Sequence, residues 1–231
     1  MEFEKRKAAT MAAISDPNPD KSPKGNLDTP IIPLIDAINL HPSFFTTSSC
    51  SGRISILHHP PPATGDEDEN TSTVKKKKKK KAGGGKWILV SHDPVEPESV
   101  IDLLFKKEDS TCIVRRNQGS LVFRFEPLII AIECRDTAAA QVLVSLAISS
   151  GFRESGIASV DKRIMMSIRC SIRLEVPLGD IDGIMVSPDY IRYLVDIANQ
   201  KMELNRSRTD VFFRNLQHQL SPTSSSSQPP S

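Results

Sequence analysis

The stretch Ile164-Met165-Met166-Ser167-Ile168-Arg169-Cys170-Ser171-Ile172-Arg173-Leu174-Glu175-Val176 decides the fold class. Positions 164, 166, 168, 170, 172, 174 and 176 are apolar, with Ser167, Arg169, Ser171, Arg173 and Glu175 between them. A period of two sends successive side chains to opposite faces of a strand. The pattern predicts one long half-buried strand, a single bend allowed, with its arginines turned away from the core.

Upstream of it, Leu128 to Cys134 reads as a largely apolar strand. Cys112 to Arg116 and Leu121 to Phe125 read as a hairpin about Asn117-Gln118-Gly119. Phe44 to Thr47 and Arg53 to His58 read as strands on either side of a Ser/Cys/Gly turn, and Trp87 to Ser91 as another strand. Helices are expected over 3–14, 27–40, 96–105 and 137–150, the last ended by Gly151. Asp28 before Pro30 suits a helix N-cap. Ser187-Pro188 opens a final helix with an apolar stripe at 191, 194, 195, 198 and 202. These elements lack a βαβ rhythm, and hairpin-like neighbours dominate. The expectation is a single α+β domain over 1–215, its mixed, largely antiparallel sheet flanked by helices. Residues 59–86 form a low-complexity insert and 216–231 a polar tail, both expected to be disordered.

The 231 residues are 38% hydrophobic, enough for one sizeable core. A formal charge of +2 does not by itself indicate a nucleic-acid binder, but it conceals the lysine run 75–81 behind the acidic run 66–69. The default for that run is a solvated insert; a phosphate contact or a nuclear-import signal stays open. Arg115, Arg116, Arg124, Lys162, Arg163, Arg169 and Arg173 are candidates for an RNA-facing surface. Four cysteines at 50, 112, 134 and 170 have neither metal-site nor disulfide-framework spacing, so free thiols in a reducing compartment are expected. No apolar run is long enough to cross a bilayer, and the N-terminus has no secretory h-region. The expected location is the cytoplasm, with the nucleus open because of the lysine run.

Chemistry points first to Thr46-Thr47-Ser48-Ser49-Cys50-Ser51-Gly52-Arg53. Six hydroxyl or thiol residues offer donors, the glycine allows close approach to the backbone, and the arginine offers a planar fork for carboxylate or phosphate. A polar turn with an incidental arginine is the plain alternative. Cys50 reads either as a nucleophile partnered by His92 or as a structural thiol. His92-Asp93 ends a strand, where a histidine that titrates near neutrality serves proton transfer or merely a solvated turn. Asp20, Lys24, Gly25 and Asp28 read on spacing as turn and cap chemistry. Asn199 and Asn205, poor helix-interior residues, either bond a ligand or loop or sit on a solvated face. Gly83-Gly84-Gly85 lacks phosphate-loop order, and no G-x-G-x-x-G follows a strand, so a Rossmann-type cofactor site has no support.

Several stretches in order carry a resemblance. They are Asp20-Lys21-Ser22-Pro23-Lys24-Gly25 with Asp28, Thr47-Ser48-Ser49-Cys50-Ser51-Gly52-Arg53-Ile54, and Gly84-Gly85-Lys86-Trp87 with Ser91-His92-Asp93. Phe125-Glu126-Pro127, Gly151-Phe152-Arg153-Glu154-Ser155-Gly156-Ile157, Val186-Ser187-Pro188-Asp189-Tyr190 and Ile197-Ala198-Asn199 with Asn205 follow. Together they resemble the tRNA wybutosine-synthesising protein 3 family over roughly residues 1 to 215. The resemblance implies a fold unlike the usual Rossmann-type methyltransferase. It also implies N-methylation, with S-adenosylmethionine as donor, of the tricyclic guanosine-derived base beside the anticodon of phenylalanine tRNA, alongside other enzymes of that pathway. By position, Ser48, Ser49, Cys50, Gly52 and Arg53 match the family's signature, and Asp28, Trp87, His92 and Glu126 match its other motifs. On this footing Asp28 and His92 are the candidate proton acceptors; the others bind cofactor or substrate, with Trp87 stacking or in the core. One departure is Ala131, where many members carry a histidine, which makes His92 the leading acceptor. The rival reading is a non-catalytic tRNA-binding module that assists a partner enzyme.

Overall fold

The computed structural model describes residues 2–14, 28–60, 85–105, 119–180 and 183–220. In chain order the elements are α1 (Glu2–Ile14), a 3-10 turn (Thr29–Ile31), α2 (Ile32–Leu40), β1 (Phe44–His59), β2 (Lys86–Ser91) and α3 (Pro97–Phe105). Then come β3 (Ser120–Cys134), α4 (Thr137–Ser149), β4 (Gly156–Ser159), β5 (Ile164–Ile168), β6 (Leu174–Asp180), β7 (Gly183–Ile184) and α5 (Pro188–Leu220). The class is α+β, as expected, and every registered strand pair is antiparallel. Cys112 to Arg116, the first arm of the expected hairpin, lies outside the described residues, as do Asp20, Lys24, Gly25 and the lysine run. At the expected insert and tail, β1 runs on to His59, β2 begins at Lys86 and α5 continues to Leu220.

The chain forms two compact units: Met1–Gly52 with Glu126–Arg173 and Lys201–Ser231, and Arg53–Phe125 with Leu174–Gln200. In the first, the strand order is β1-β3-β5-β4; in the second it is β2-β1-β3-β6-β7. β1, β3 and α5 contribute residues to both.

The first unit holds a core built from alternate residues of β3 (Leu128, Ile130, Ile132, Cys134) and stripes of three helices. Those stripes are Leu34, Ile35 and Ile38 of α2, Ala140, Leu143, Val144 and Ala147 of α4, and Phe212 and Leu216 of α5. Burying each large aliphatic side chain is worth about 1.5–3 kcal/mol. Helix α4 begins where Asp136 Oδ1 accepts from the Ala139 N–H (2.8 Å), and it ends before Gly151 at φ +96°, a backbone state glycine adopts freely. Phe152 follows and meets Phe212 edge-on, ring centres 5.9 Å apart. Helix α1 buries no residue. It is held by Arg6 on the fully buried Glu133 (2.8 Å), by Lys7 on the carbonyl oxygens of His41 and Phe44, and by Phe3 against Phe45.

In the second unit β1 pairs with β2 from Ile54↔Ser91 to His58↔Lys86, and β3 pairs with β6 from Leu121↔Gly179 to Phe125↔Leu174. Ile54, Ile56, Phe123, Phe125, Leu178, Ile191 and Val195 are fully buried. The Ser187 hydroxyl accepts from the Tyr190 N–H at 3.2 Å, the serine cap expected for the last helix.

Two expectations are corrected. The alternating stretch from Ile164 is two strands, not one. Ile164–Ile168 pairs with Ile130–Cys134, whereas Leu174 begins a separate pairing opposite Phe125. Cys170 stays buried and Arg169, Ser171 and Arg173 exposed across the break, so burial alternates where the ladder does not. Nor are there two strands about a Ser/Cys/Gly turn: β1 runs unbroken for 16 residues. Serine and threonine accept an extended backbone, and three of these residues find anchors that hold them in it.

Candidate active site

Those anchors define the first unit's half of the signature. Asn39 Oδ1 accepts from the N–H (2.8 Å) and the hydroxyl (3.0 Å) of Thr46, and the Thr47 hydroxyl donates to the Ala131 carbonyl at 3.2 Å. Asp28 does not cap the helix after it. Its buried carboxylate turns to β1, where Oδ2 accepts from the Ser51 N–H at 2.8 Å. Backbone donors satisfied by a carboxylate are strong, charge-assisted bonds, so Asp28 fixes the strand at Ser51.

Asn205 of α5 grips the same point. It is 1% exposed; its Nδ2 donates to the Ser51 carbonyl at 2.8 Å and its Oδ1 accepts from the Leu128 N–H at 2.8 Å. One amide thereby joins β1 and β3 through main-chain groups. Beside it Gly52 adopts φ +107°. A β-carbon there would lie 2.9 Å from Asn205 Nδ2 and 3.1 Å from the Glu126 carbonyl oxygen, so the position has neither the backbone nor the space for a side chain. Half-buried Glu126 thus borders the glycine through its main chain.

With Thr46, Thr47 and Ser51 so engaged, Ser48 and Ser49 remain: neither hydroxyl bonds to another described residue. Cys50, half-buried, has its sulfur within 4.8 Å of an Asp28 carboxylate oxygen. Burial, with Asp136 and Glu133 nearby, pushes the Cys134 thiol up to about 12.

The second unit carries Arg53, Trp87 and His92. The Arg53 guanidinium lies over the Trp87 ring, 4.7 Å from its centre, and Trp87 is 37% exposed. The ring is therefore a platform at the surface, not core. Ile54 pairs with Ser91, so the next positions along the two strands are Arg53 and His92. The loop beginning at His92 is clamped by Asn199: its Oδ1 accepts from the Val95 N–H (3.0 Å) and its Nδ2 donates to the Val95 carbonyl (2.9 Å). Ser91 bonds both main-chain groups of Asp93, at 3.1 and 2.7 Å. Both helix asparagines hold backbone. The available signal for Asn205 was its place in the buried row Ala198, Met202, Asn205, Thr209, Phe212, where an unbonded polar group is costly.

Of the RNA-facing candidates, Arg124 is paired with Glu175 (3.0 Å), Arg163 with Glu133 (2.5 Å) and Arg173 with Glu154 (2.7 Å). Lys162 and Arg169 are exposed, and Arg115 and Arg116 lie outside the described residues.

The sequence model of the family described as Methyltransferase TYW3 matches residues 5–218. A "tRNA wybutosine-synthesizing protein 2/3/4" of Oryza sativa is 57% identical over 96% of the chain, which spans 20% of that relative's length. The "tRNA wybutosine-synthesizing protein 3 homolog" of Homo sapiens is 36% identical over 95% of the chain and 74% of its own length. The solved structure of the PH1069 protein from Pyrococcus horikoshii superimposes with a TM-score of 0.71 at 30% identity, covering 93% of this chain and 95% of that one.

Proposed function

The chain belongs to the Methyltransferase TYW3 family, and on that premise we propose that it transfers a methyl group from S-adenosylmethionine to a ring nitrogen of a tRNA base. The base is the tricyclic guanosine-derived wybutosine precursor beside the anticodon of phenylalanine tRNA, and the reaction takes place in the cytoplasm. The observation that carries this reading is the state of the signature strand: clamped at Thr46, Thr47 and Ser51, with the Ser48 and Ser49 hydroxyls unbonded among the described residues.

The residues suit such a donor. Arg53 offers a fork for a carboxylate and Trp87 a half-open ring for a flat heterocycle; S-adenosylmethionine has both groups. Ser48 and Ser49 supply hydroxyl partners for polar groups of a ligand. When bound, S-adenosylmethionine supplies a methyl group activated on a sulfonium. In-line displacement at a methyl carbon depends mainly on alignment, which a strand pinned by Asp28 and Asn205 preserves better than a loop. A target nitrogen that carries a proton needs an acceptor, and His92, next after Ser91, the strand partner of Ile54, takes that role. Asp28, with Oδ2 committed to Ser51, acts as a positioning residue.

Calorimetry with S-adenosylmethionine tests the reading. The wild type is expected to bind one equivalent, and Arg53→Ala to bind at least tenfold more weakly. No heat of binding in the wild type would instead favour a non-catalytic tRNA-binding module.

A further inference from the structure

Some arginines of the first unit are paired with carboxylates and others are not. Arg6 and Arg163 are paired with Glu133, Arg135 with Glu4 and Arg173 with Glu154. Arg153, Arg169 and Arg208 have no carboxylate partner among the described residues. All three are brought to one place, the turn between α4 and β4.

Arg153 is exposed in that turn, just after Gly151. The Arg208 side chain on α5 lies along the glycine, its Cδ and Nε 3.6 Å from where a Gly151 β-carbon would stand. Arg169 is fastened to the turn by its main chain. Its carbonyl accepts from the Glu154 N–H at 3.2 Å, and its N–H donates to the Ser155 hydroxyl oxygen at 3.1 Å. Glu154, the acid of the turn, is occupied by Arg173. The turn thus gathers four arginines against one glutamate. Gathering unpaired guanidinium groups is unfavourable in the free protein, and it is relieved by an anion that meets several at once.

We infer that Arg153, Arg169 and Arg208 form a phosphate-contacting surface for the RNA backbone, distinct from the signature strand and acting on substrate affinity. This rests on the reading that tRNA is the substrate. The cations come from three separate segments, the turn after α4, the stretch after β5 and helix α5, which suits a run of phosphates along a strand of RNA rather than one small anion. Interactions of this kind position the nucleic acid and carry no base selectivity.

The test is filter binding of phenylalanine tRNA to the full chain over a series of KCl concentrations, with Arg153→Gln/Arg169→Gln/Arg208→Gln beside the wild type. The triple variant should bind at least tenfold more weakly near physiological salt. Its log affinity against log salt should be shallower by about 2 to 3, roughly one for each phosphate that the variant no longer neutralises. Its affinity for S-adenosylmethionine and its kcat at saturating tRNA should not change. The matching triple lysine variant, which keeps the charge, should retain most of the salt slope and controls for folding. Equal affinity and slope in wild type and glutamine variant would overturn the inference while leaving the methyltransferase reading standing. So would a lysine variant as weak as the glutamine one, or stronger wild-type binding to phosphatidylserine vesicles than to tRNA. Conversely, a wild type that binds tRNA through these arginines but never methylates it would overturn the reading and spare the surface.

Discussion

Asn205 and Gly52 are fitted so closely that a β-carbon on the glycine would stand 2.9 Å from the amide nitrogen of the asparagine. The glycine holds φ +107°, and the same β-carbon would stand 3.1 Å from the Glu126 carbonyl oxygen. Gly52→Ala therefore meets strained backbone and occupied space together, at a cost of about 2–4 kcal/mol. Methyl transfer should fall more than tenfold even where the variant is still folded. Urea denaturation and turnover measured on one preparation check both halves.

Asn205→Ala removes the partner of two main-chain groups, the buried Leu128 N–H and the part-buried Ser51 carbonyl. Each unsatisfied group costs about 1–3 kcal/mol, so a loss of about 2–4 kcal/mol is expected. Asn205→Asp keeps an acceptor for Leu128 but sets an oxygen against the Ser51 carbonyl, and it should be no better than alanine. An aspartate variant as stable as wild type would show that the Ser51 bond contributes nothing.

Glu133 is fully buried between Arg6 at 2.8 Å and Arg163 at 2.5 Å. Removing one member of a buried pair is costly, but here both arginines reach solvent (32% and 47% exposed) and can rehydrate. Glu133→Ala should lose about 1–3 kcal/mol. Because α1 buries no side chain, its amides at 2–14 should exchange hydrogen faster in the variant; unchanged protection would refute the tether.

Burial, with Lys7 nearby, holds His41 below its ordinary value of 6.5. The ring stacks on Phe44 at 4.0 Å, and its Nδ1 accepts from the Ser43 N–H at 3.1 Å, a bond only the neutral ring makes. Below pH 6.5 the unfolded chain takes up a proton that the folded His41 resists, so this residue makes stability fall as pH drops from 7 towards 5. His41→Phe should show a smaller loss of urea midpoint over that range than wild type. An equal loss in both would assign the pH dependence elsewhere.

Much of this was legible in the chain. The apolar stripes of α2, α4 and α5, the Gly151 stop and the Ser187 cap follow from local chemistry, and local chemistry is what a sequence displays. Pairing partners are not local. Ile168 and Leu174 continue one alternation yet bond to different halves of β3, and no periodicity distinguishes that from a single strand. The Ser/Cys/Gly segment suggests a turn because its residues favour turns; hydrogen bonds with Asn39, seven residues before Thr46, and with the more distant Asp28 and Asn205 hold it extended. Asp28 was legible as a cap and serves instead as a long-range acceptor, because the proline-led 3-10 turn after it has little need of a cap.

Methyl transfer itself is tested with the full chain, S-adenosylmethionine and phenylalanine tRNA that carries the unmethylated tricyclic precursor. The tRNA is then digested and its nucleosides weighed. The precursor nucleoside should gain the mass of one methyl group, and omitting either the donor or the protein should abolish the gain. An unshifted precursor mass with saturating donor and folded protein would contradict the proposed methyl transfer.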